Sequence, residues 1–398
     1  MLRLTNTCAC ALLALAALLG APARAANNDP VVLVHGVLGF GPQSHPLGSF
    51  LYWGGYGDIA AHLAVYHGPH TVFTAQVGAI ASNWDRAAEL YAQIKGGCVD
   101  YGAHHVARYG YPGQQQKPPG KCWAADPAHN PHGDPLAFYP QWDAAHPIHM
   151  IGHSQGGTTI RALIQLLEHG SPDGDEGGGE LYKGGKVGWI KSVVTISAPH
   201  DGTTLRDAVL DVLPNLRSPL RDILDNELAH WELAPDGARE FNHWALTSPS
   251  VYYFSIGTLA TEAGAWCCNG DRLLAPVQNV QFQYPRADMI PYFKLFAGEW
   301  IVGSLAQPGM GSYTQNAPGR VRIDSAWFPN DGVVNTVSMR APSGHPVRDY
   351  DGSAVRGVWN FLGNYHGYDH FDILNWPNPG PSADPVYDRI SDIIFGLD

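Results

Sequence analysis

Ile148-His149-Met150-Ile151-Gly152-His153-Ser154-Gln155-Gly156-Gly157-Thr158-Thr159-Ile160 is the stretch that decides the architecture. Its first four residues form a short run of strand type, and Gly152 to Gly156 compress into a glycine-flanked turn. From Thr158 to His169 the apolar residues Ile160, Leu163, Ile164 and Leu167 fall at helical spacing. The order is strand, sharp turn, helix. Gly-x-Ser-x-Gly alone says little in a chain with 46 glycines, but in this context it predicts a serine held at the turn. A tight reversal needs unusual backbone angles and leaves no room for side chains beside the serine, which accounts for both glycines. Ser154 would then face the positive end of the following helix.

Working outward, the same logic predicts a mostly parallel sheet covered by helices, an α/β fold. Pro30 to Gly36 contains the apolar run Val31-Val32-Leu33-Val34, as a buried strand requires. Asp58 to Tyr66 has helical spacing, Thr71 to Val77 is strand-like, and Ser82 reads as the cap of a helix reaching Ile94. From residue 96 to 146 the chain turns rich in Gly, Pro and His and loses periodicity, which marks an excursion from the core. Trp189 to Ser197 and Val251 to Ile256 are further strands, and a closing helix is expected near Tyr387 to Phe395. Between them, 203–246 alternates apolar and charged positions, broken by Pro214, Pro219 and Pro235. Two or three short amphipathic helices are expected there, a layer suited to covering a pocket.

Composition narrows the role. The first 25 residues combine Arg3, an apolar run from Ala9 to Leu19 and Ala23-Arg24-Ala25, the pattern of a cleaved export signal. That run is shorter than the roughly 20 apolar residues needed to cross a bilayer. The expected product is a single exported domain of residues 26–398, extracellular or periplasmic, with no transmembrane anchor. The formal charge is −12, and losing Arg3 and Arg24 with no acid makes it −14. Such a surface repels phosphate backbones, so nucleic acid is not an expected partner. Cys98, Cys122, Cys267 and Cys268 remain in an oxidising compartment. Three pairings are open, and Cys98 with Cys122 is preferred because it closes a moderate loop across the excursion.

A serine hydroxyl attacks carbonyl carbon only when a histidine removes its proton, and a carboxylate must hold that histidine in the right tautomer. On a strand-turn-helix framework the partners follow in the order acid, then histidine. His366 and His370 are the late candidates, with His345 behind them. His370 is preferred because an apolar residue and a helix-like segment follow it. Asp331, in the turn Asn330-Asp331-Gly332, is the leading acid, with Asp324, Asp349, Asp351 and Asp369 as alternatives. Acyl transfer also needs N–H donors aimed at the developing oxyanion. The expected pair is the backbone amides of Gln155, after the serine, and Val37, after His35-Gly36.

Seven blocks together resemble a known group: Val32-Leu33-Val34-His35-Gly36, Tyr52-Trp53-Gly54-Gly55, Ser82-Asn83-Trp84-Asp85-Arg86-Ala87, Val99 to Ala103, Gly152 to Gly157, Pro199 to Thr204 and Asn330 to Thr336. They are similar to the secreted lipases of thermophilic Bacillus relatives and staphylococci, over about residues 31–380. The resemblance implies an α/β-hydrolase fold with a helical lid over 203–246. It also implies triacylglycerol hydrolysis at an oil-water interface, and a triad of Ser154, Asp331 and His370. The group is similar in holding a structural zinc through two Asp and two His. Asp85 and His105 fall on two of those positions, while Tyr111 and Ala229 occupy the others. Asp372 falls on a calcium-ligand position whose later aspartate is not evident around Trp376-Pro377. Neither ion is required for the chemistry. The same chemistry would suit a polyester depolymerase or a short-chain carboxylesterase. A non-catalytic exported binding protein is the reading from another class.

Overall fold

The computed structural model describes residues 27–42, 49–110, 121–174, 179–205, 228–263, 271–273, 310, 313–376 and 382–398; for 228–230, 262–263 and 271–273 it describes the backbone. The expected export signal, Cys267, Cys268, Tyr111 and residues 206–227 of the expected lid lie outside these residues.

In chain order the main elements are β1 (Val31–Val34), α1 (Ile59–Val65), β2 (Val72–Thr74), α2 (Asn83–Lys95), β3 (Gly97–Cys98), α3 (Ala103–Tyr109), β4 (Cys122–Trp123), β5 (Ile148–His153), α4 (Gln155–His169) and β6 (Ile190–Ile196). Then follow α5 (Leu228–Leu233), α6 (Pro235–Trp244), β7 (Tyr252–Leu259), β8 (Thr261–Ala263), β9 (Asp271–Leu273), β10 (Val347–Asp349), β11 (Trp359–His366) and α7 (Asp384–Ile394). Seven strands form one sheet in the order β10-β11-β7-β6-β5-β1-β2. Every neighbouring pair in it runs parallel.

Strand periodicity splits the core into two layers. Val31 and Leu33 of β1 point to one face, with Ile59 and Leu63 of α1 and Val386, Tyr387 and Ile390 of α7. Val32 and Val34 point to the other, with Leu90 and Ile94 of α2 and Ile160, Leu163 and Leu167 of α4. Both faces being covered is why these strands read as continuous apolar runs rather than alternating ones.

Local signals fix the helix ends. The Asp58 carboxylate accepts from the Ala61 N–H at the start of α1, and Ser82 Oγ accepts from the Asp85 N–H at the start of α2. Pro235 opens α6 in its first turn, where the missing N–H costs nothing. The helices α5 and α6 occupy the end of the expected lid region. Phe241 of α6 is buried, with the Arg161 guanidinium 4.9 Å from its ring, so α6 is part of the body of the molecule.

The excursion carries α3 and an antiparallel ribbon of β3 and β4, closed by the disulfide Cys98–Cys122. At the start of the described chain, the Asn27 side chain donates to the carbonyls of Ile394 and Leu397, and its Oδ1 lies 2.7 Å from His149 Nε2. The first strand is thereby hooked to the last helix at the N-terminal end of the sheet. No helix among the described residues is long and apolar enough to cross a membrane.

Candidate active site

The sheet changes direction at β1: β2 lies on one side of it, and β5, β6 and β7 follow on the other. The crevice beyond the carboxyl ends of β1 and β5 is where such a sheet leaves room for a ligand. Both Ser154, directly after β5, and the His35-Gly36-Val37 loop, directly after β1, stand there.

Ser154 itself has φ 55 and ψ −130, a conformation that L-residues rarely adopt. The flanking glycines serve space instead, which corrects the expectation that they supply the unusual angles. A Cβ at Gly156 would lie 2.1 Å from the Val34 carbonyl oxygen, and one at Gly152 would lie 2.6 Å from the Gly156 and Gly157 backbone. A Cβ at Gly36 would lie 2.6 Å from Ser154 Cβ, so the loop after β1 reaches the serine only because Gly36 has no side chain.

Among the described residues neither the Val37 nor the Gln155 amide N–H is taken by a protein acceptor. The Val37 N–H shares a rigid peptide plane with the Gly36 carbonyl, so whatever holds that oxygen aims the N–H. His35 Nδ1 lies 2.8 Å from the Gly36 oxygen and donates to it, while Nε2 accepts from the Val77 N–H at 3.2 Å. These bonds require a neutral ring, and burial, reinforced by Arg86, holds the His35 pKa down at about 3. Fully buried Arg86 grips the same loop from α2, donating to the carbonyls of His35, Gly36 and Gly78 and to Thr159 Oγ1. Burial lowers its pKa to about 10, which leaves it charged at neutral pH.

His370 and Asp331 meet at 2.7 Å between Nδ1 and Oδ2, and the His370 N–H donates to the Asp331 carbonyl at 3.1 Å. The carboxylate accepts on every side. Thr258 Oγ1 donates to Oδ2 at 2.7 Å, and the N–H groups of Val333 and Val334 donate to Oδ1 at 3.0 and 2.8 Å. Thr258 is in turn held by Ser197 Oγ at 2.8 Å. Ser154, Asp331 and His370 are 4%, 0% and 3% exposed, so their orientations are set by packing rather than by solvent.

His153, one residue before Ser154, brings its ring to 4.5 Å from that of His370, and its Nε2 lies 2.9 Å from the His370 carbonyl. The serine turn, the His35-Gly36-Val37 loop and the His370 loop therefore converge. The other candidates are engaged elsewhere. His366 is exposed, and His345 bonds Thr247 Oγ1 and the Asn242 carbonyl. Asp324 and Asp369 cap local turns, while Asp349 and Asp351 pair with Arg340 and Arg348. Tyr52, Arg86, His153 and Thr258 received no role from the sequence, although the first three sit inside the recognisable blocks.

The donor sets for metals are thinner. Asp85 Oδ1 and His105 Nε2 face each other at 3.2 Å, both buried and without a hydrogen bond, so two of the expected zinc positions do adjoin. A structural zinc needs four donors, and Ala229 offers none. No group of three His, Cys, Asp or Glu side chains suited to a metal occurs among the described residues. The present residues do not fit a closed zinc site. At the calcium-ligand position, the Asp372 carboxylate accepts from the Asp369 N–H at 3.0 Å; residues 377–381 lie outside the described chain.

A seven-stranded parallel sheet with a strained serine after β5 and an Asp-His pair arriving from later loops defines the α/β-hydrolase class. The comparisons with known proteins go further. Residues 27–212 match the family model described as "Lipase-like, C-terminal domain". Among solved structures, EstA from Clostridium botulinum is 31% identical with a TM-score of 0.73, covering 94% of this chain and 88% of that one. Lipase 1 from Pelosinus fermentans is 30% identical at a TM-score of 0.68, covering 94% and 100%. Staphylococcus hyicus lipase is 25% identical at 0.70, covering 95% and 98%. A lipase of Staphylococcus epidermidis is 29% identical over 378 residues, 87% of this chain. The chain belongs to this bacterial lipase family, and it spans about half the length of the curated relatives it matches.

Proposed function

We propose that this chain is an exported hydrolase of carboxylic esters whose preferred substrates are triacylglycerols presented at an oil-water interface. The observation that carries the reading is the convergence of a strained Ser154 with the His370-Asp331 pair at the carboxyl ends of β5 and β7. His370 takes the Ser154 proton as Oγ attacks the acyl carbon, and Asp331 steadies the imidazolium that forms. The negative charge that develops on the carbonyl oxygen falls to the Val37 and Gln155 amides, aimed beforehand by His35 and Arg86. His370 then protonates the departing alcohol, and water, activated by the same ring, releases the acid. No metal enters any step.

Three features support export and lipid substrates: the amino-terminal signal pattern, the amphipathic run over 203–246 and the membership of a lipase family. The test compares turnover of emulsified long-chain triacylglycerol, short nitrophenyl esters and polyester film, with Ser154→Ala as control. Rapid hydrolysis of the emulsion and none by the variant supports the proposal. Preference for film or for the short ester moves the substrate to polymers or small esters, and an active Ser154→Ala protein removes the assigned nucleophile.

A further inference from the structure

Between the loop after β1 and the loop that carries His370 runs a string of three buried hydrogen bonds. The Gly36 N–H donates to Tyr52 Oη at 2.8 Å, Tyr52 Oη lies 2.7 Å from His153 Nδ1, and His153 Nε2 lies 2.9 Å from the His370 carbonyl oxygen. Each link has only one possible direction. A carbonyl oxygen can only accept, so His153 carries its hydrogen on Nε2. With a neutral ring, Nδ1 must accept, so Tyr52 donates to it and is free to accept from Gly36. Full burial favours the neutral ring, holding the His153 pKa well below the usual histidine range.

We infer that Tyr52 and His153 are positioning residues, a directional relay that sets the spacing between the oxyanion amide of Val37 and the base His370. The inference rests on the proposed ester hydrolysis. The relay joins three parts of the site: it starts on the peptide plane preceding Gly36, crosses the strand end one residue before Ser154, and finishes on the backbone of the base. His35 and Arg86 hold the plane after Gly36, so the relay completes the grip on both sides of that residue. Tyr52 is braced for the purpose, with the rings of Phe40, Trp53 and Trp376 packed edge-on against it and the Trp376 Nε1–H bonded to its carbonyl. A phenylalanine would keep that packing and lose the hydroxyl, leaving the Gly36 N–H and His153 Nδ1 without their partner here.

The test combines kinetics with spectroscopy on the whole chain. Tyr52→Phe should stay folded, with a cooperative melting transition at a somewhat lower temperature, and keep a KM within about twofold on nitrophenyl butyrate, while kcat falls about 10- to 100-fold, the effect of misplacing reacting groups by a fraction of an ångström to an ångström. His153→Leu should lose as much. His153→Gln, whose amide nitrogen reaches the place of Nε2 but which leaves Tyr52 without an acceptor, should recover part of the loss. Imidazole ¹⁵N shifts of the wild-type protein should show His153 protonated on Nε2 and bare on Nδ1, a readout that does not depend on turnover and that stands even where a variant fails to fold.

Full kcat in folded Tyr52→Phe beside an inactive Ser154→Ala overturns the relay alone, as does a His153 ring protonated on Nδ1. Activity that survives in Ser154→Ala overturns the site on which the relay acts.

Discussion

Ser154 and Asp331 illustrate opposite ways of preparing a side chain. The serine is held in an unfavourable backbone state, which costs about 1–3 kcal/mol and persists only because the surrounding packing dictates it. The aspartate is held by satisfaction, with two hydrogen bonds on each oxygen. Asp331→Asn keeps the shape but presents an amide to His370 Nδ1 and so selects the wrong tautomer. Steady-state kinetics should show kcat down by about 10⁴-fold with a small change in KM; a loss under tenfold would mean that another acid serves His370. At this scale the sequence was legible wherever chemistry restricts the residue type. The strand-turn-helix setting of Gly-x-Ser-x-Gly could be read, and the preferred acid and histidine, Asp331 and His370, are brought within hydrogen-bond distance of each other. What could not be read were the supports, because Tyr52, Arg86 and Thr258 act through atoms that meet only after folding, and nothing in their local sequence distinguishes a brace from an ordinary core residue.

Among the elements, α4 is the clearest case of pattern becoming packing. Its apolar spacing predicts a helix, and the structure buries every residue from Gln155 to Leu167, with Leu163 fully buried against the layer that contains α2 and β1. Leu163→Ala should lower the unfolding free energy by about 2–5 kcal/mol in denaturant melts, the range for a large-to-small change in a core that relaxes only in part. A change below 1 kcal/mol would contradict the burial. The ribbon of β3 and β4 is a different kind of element, too short to hold itself. Its disulfide spans 24 residues, and Cys98→Ser should cost about 2–4 kcal/mol through the freer unfolded chain; an unchanged melt would show that the excursion is held by other contacts. Strand β11 escaped the sequence reading for a physical reason. Asn360, Gly363 and Asn364 interrupt its apolar character, and Asn360 is buried only because its amide nitrogen is satisfied by the carbonyls of Tyr253, Val355 and Val358. A break in register between Phe361 and Asn364 accompanies that interruption.

For the whole molecule, buried histidines set the response to acid. His35 and His149 are held at about 3, and His153 and His200 well below their usual range, each chiefly by burial. An unfolded chain takes up these protons near pH 6.5, whereas folded His35 and His149 do not until about pH 3, and folded His153 and His200 resist protonation in the same direction. The folded-state pKa values are depressed, so this stability is complete above pH 6.5 and drains away as the pH falls, by about 1.4 kcal/mol per pH unit for each histidine. Urea melts from pH 7 to pH 4 should show a steep loss, and one proton fewer taken up on unfolding in a His149→Gln variant. A flat profile would mean that these rings are charged when folded.

The bonds from Asn27 to the Ile394 and Leu397 carbonyls place residue 27 and the last residues of the chain beneath the sheet, at the edge where the strands begin, while Ser154 and His370 stand where they finish. Anything grafted onto Asp398, whether an affinity handle, a second domain or a solid bead, therefore leaves from the side of the protein remote from the mouth of the crevice. Tethering through that residue should orient the mouth outward and leave access to the crevice unobstructed.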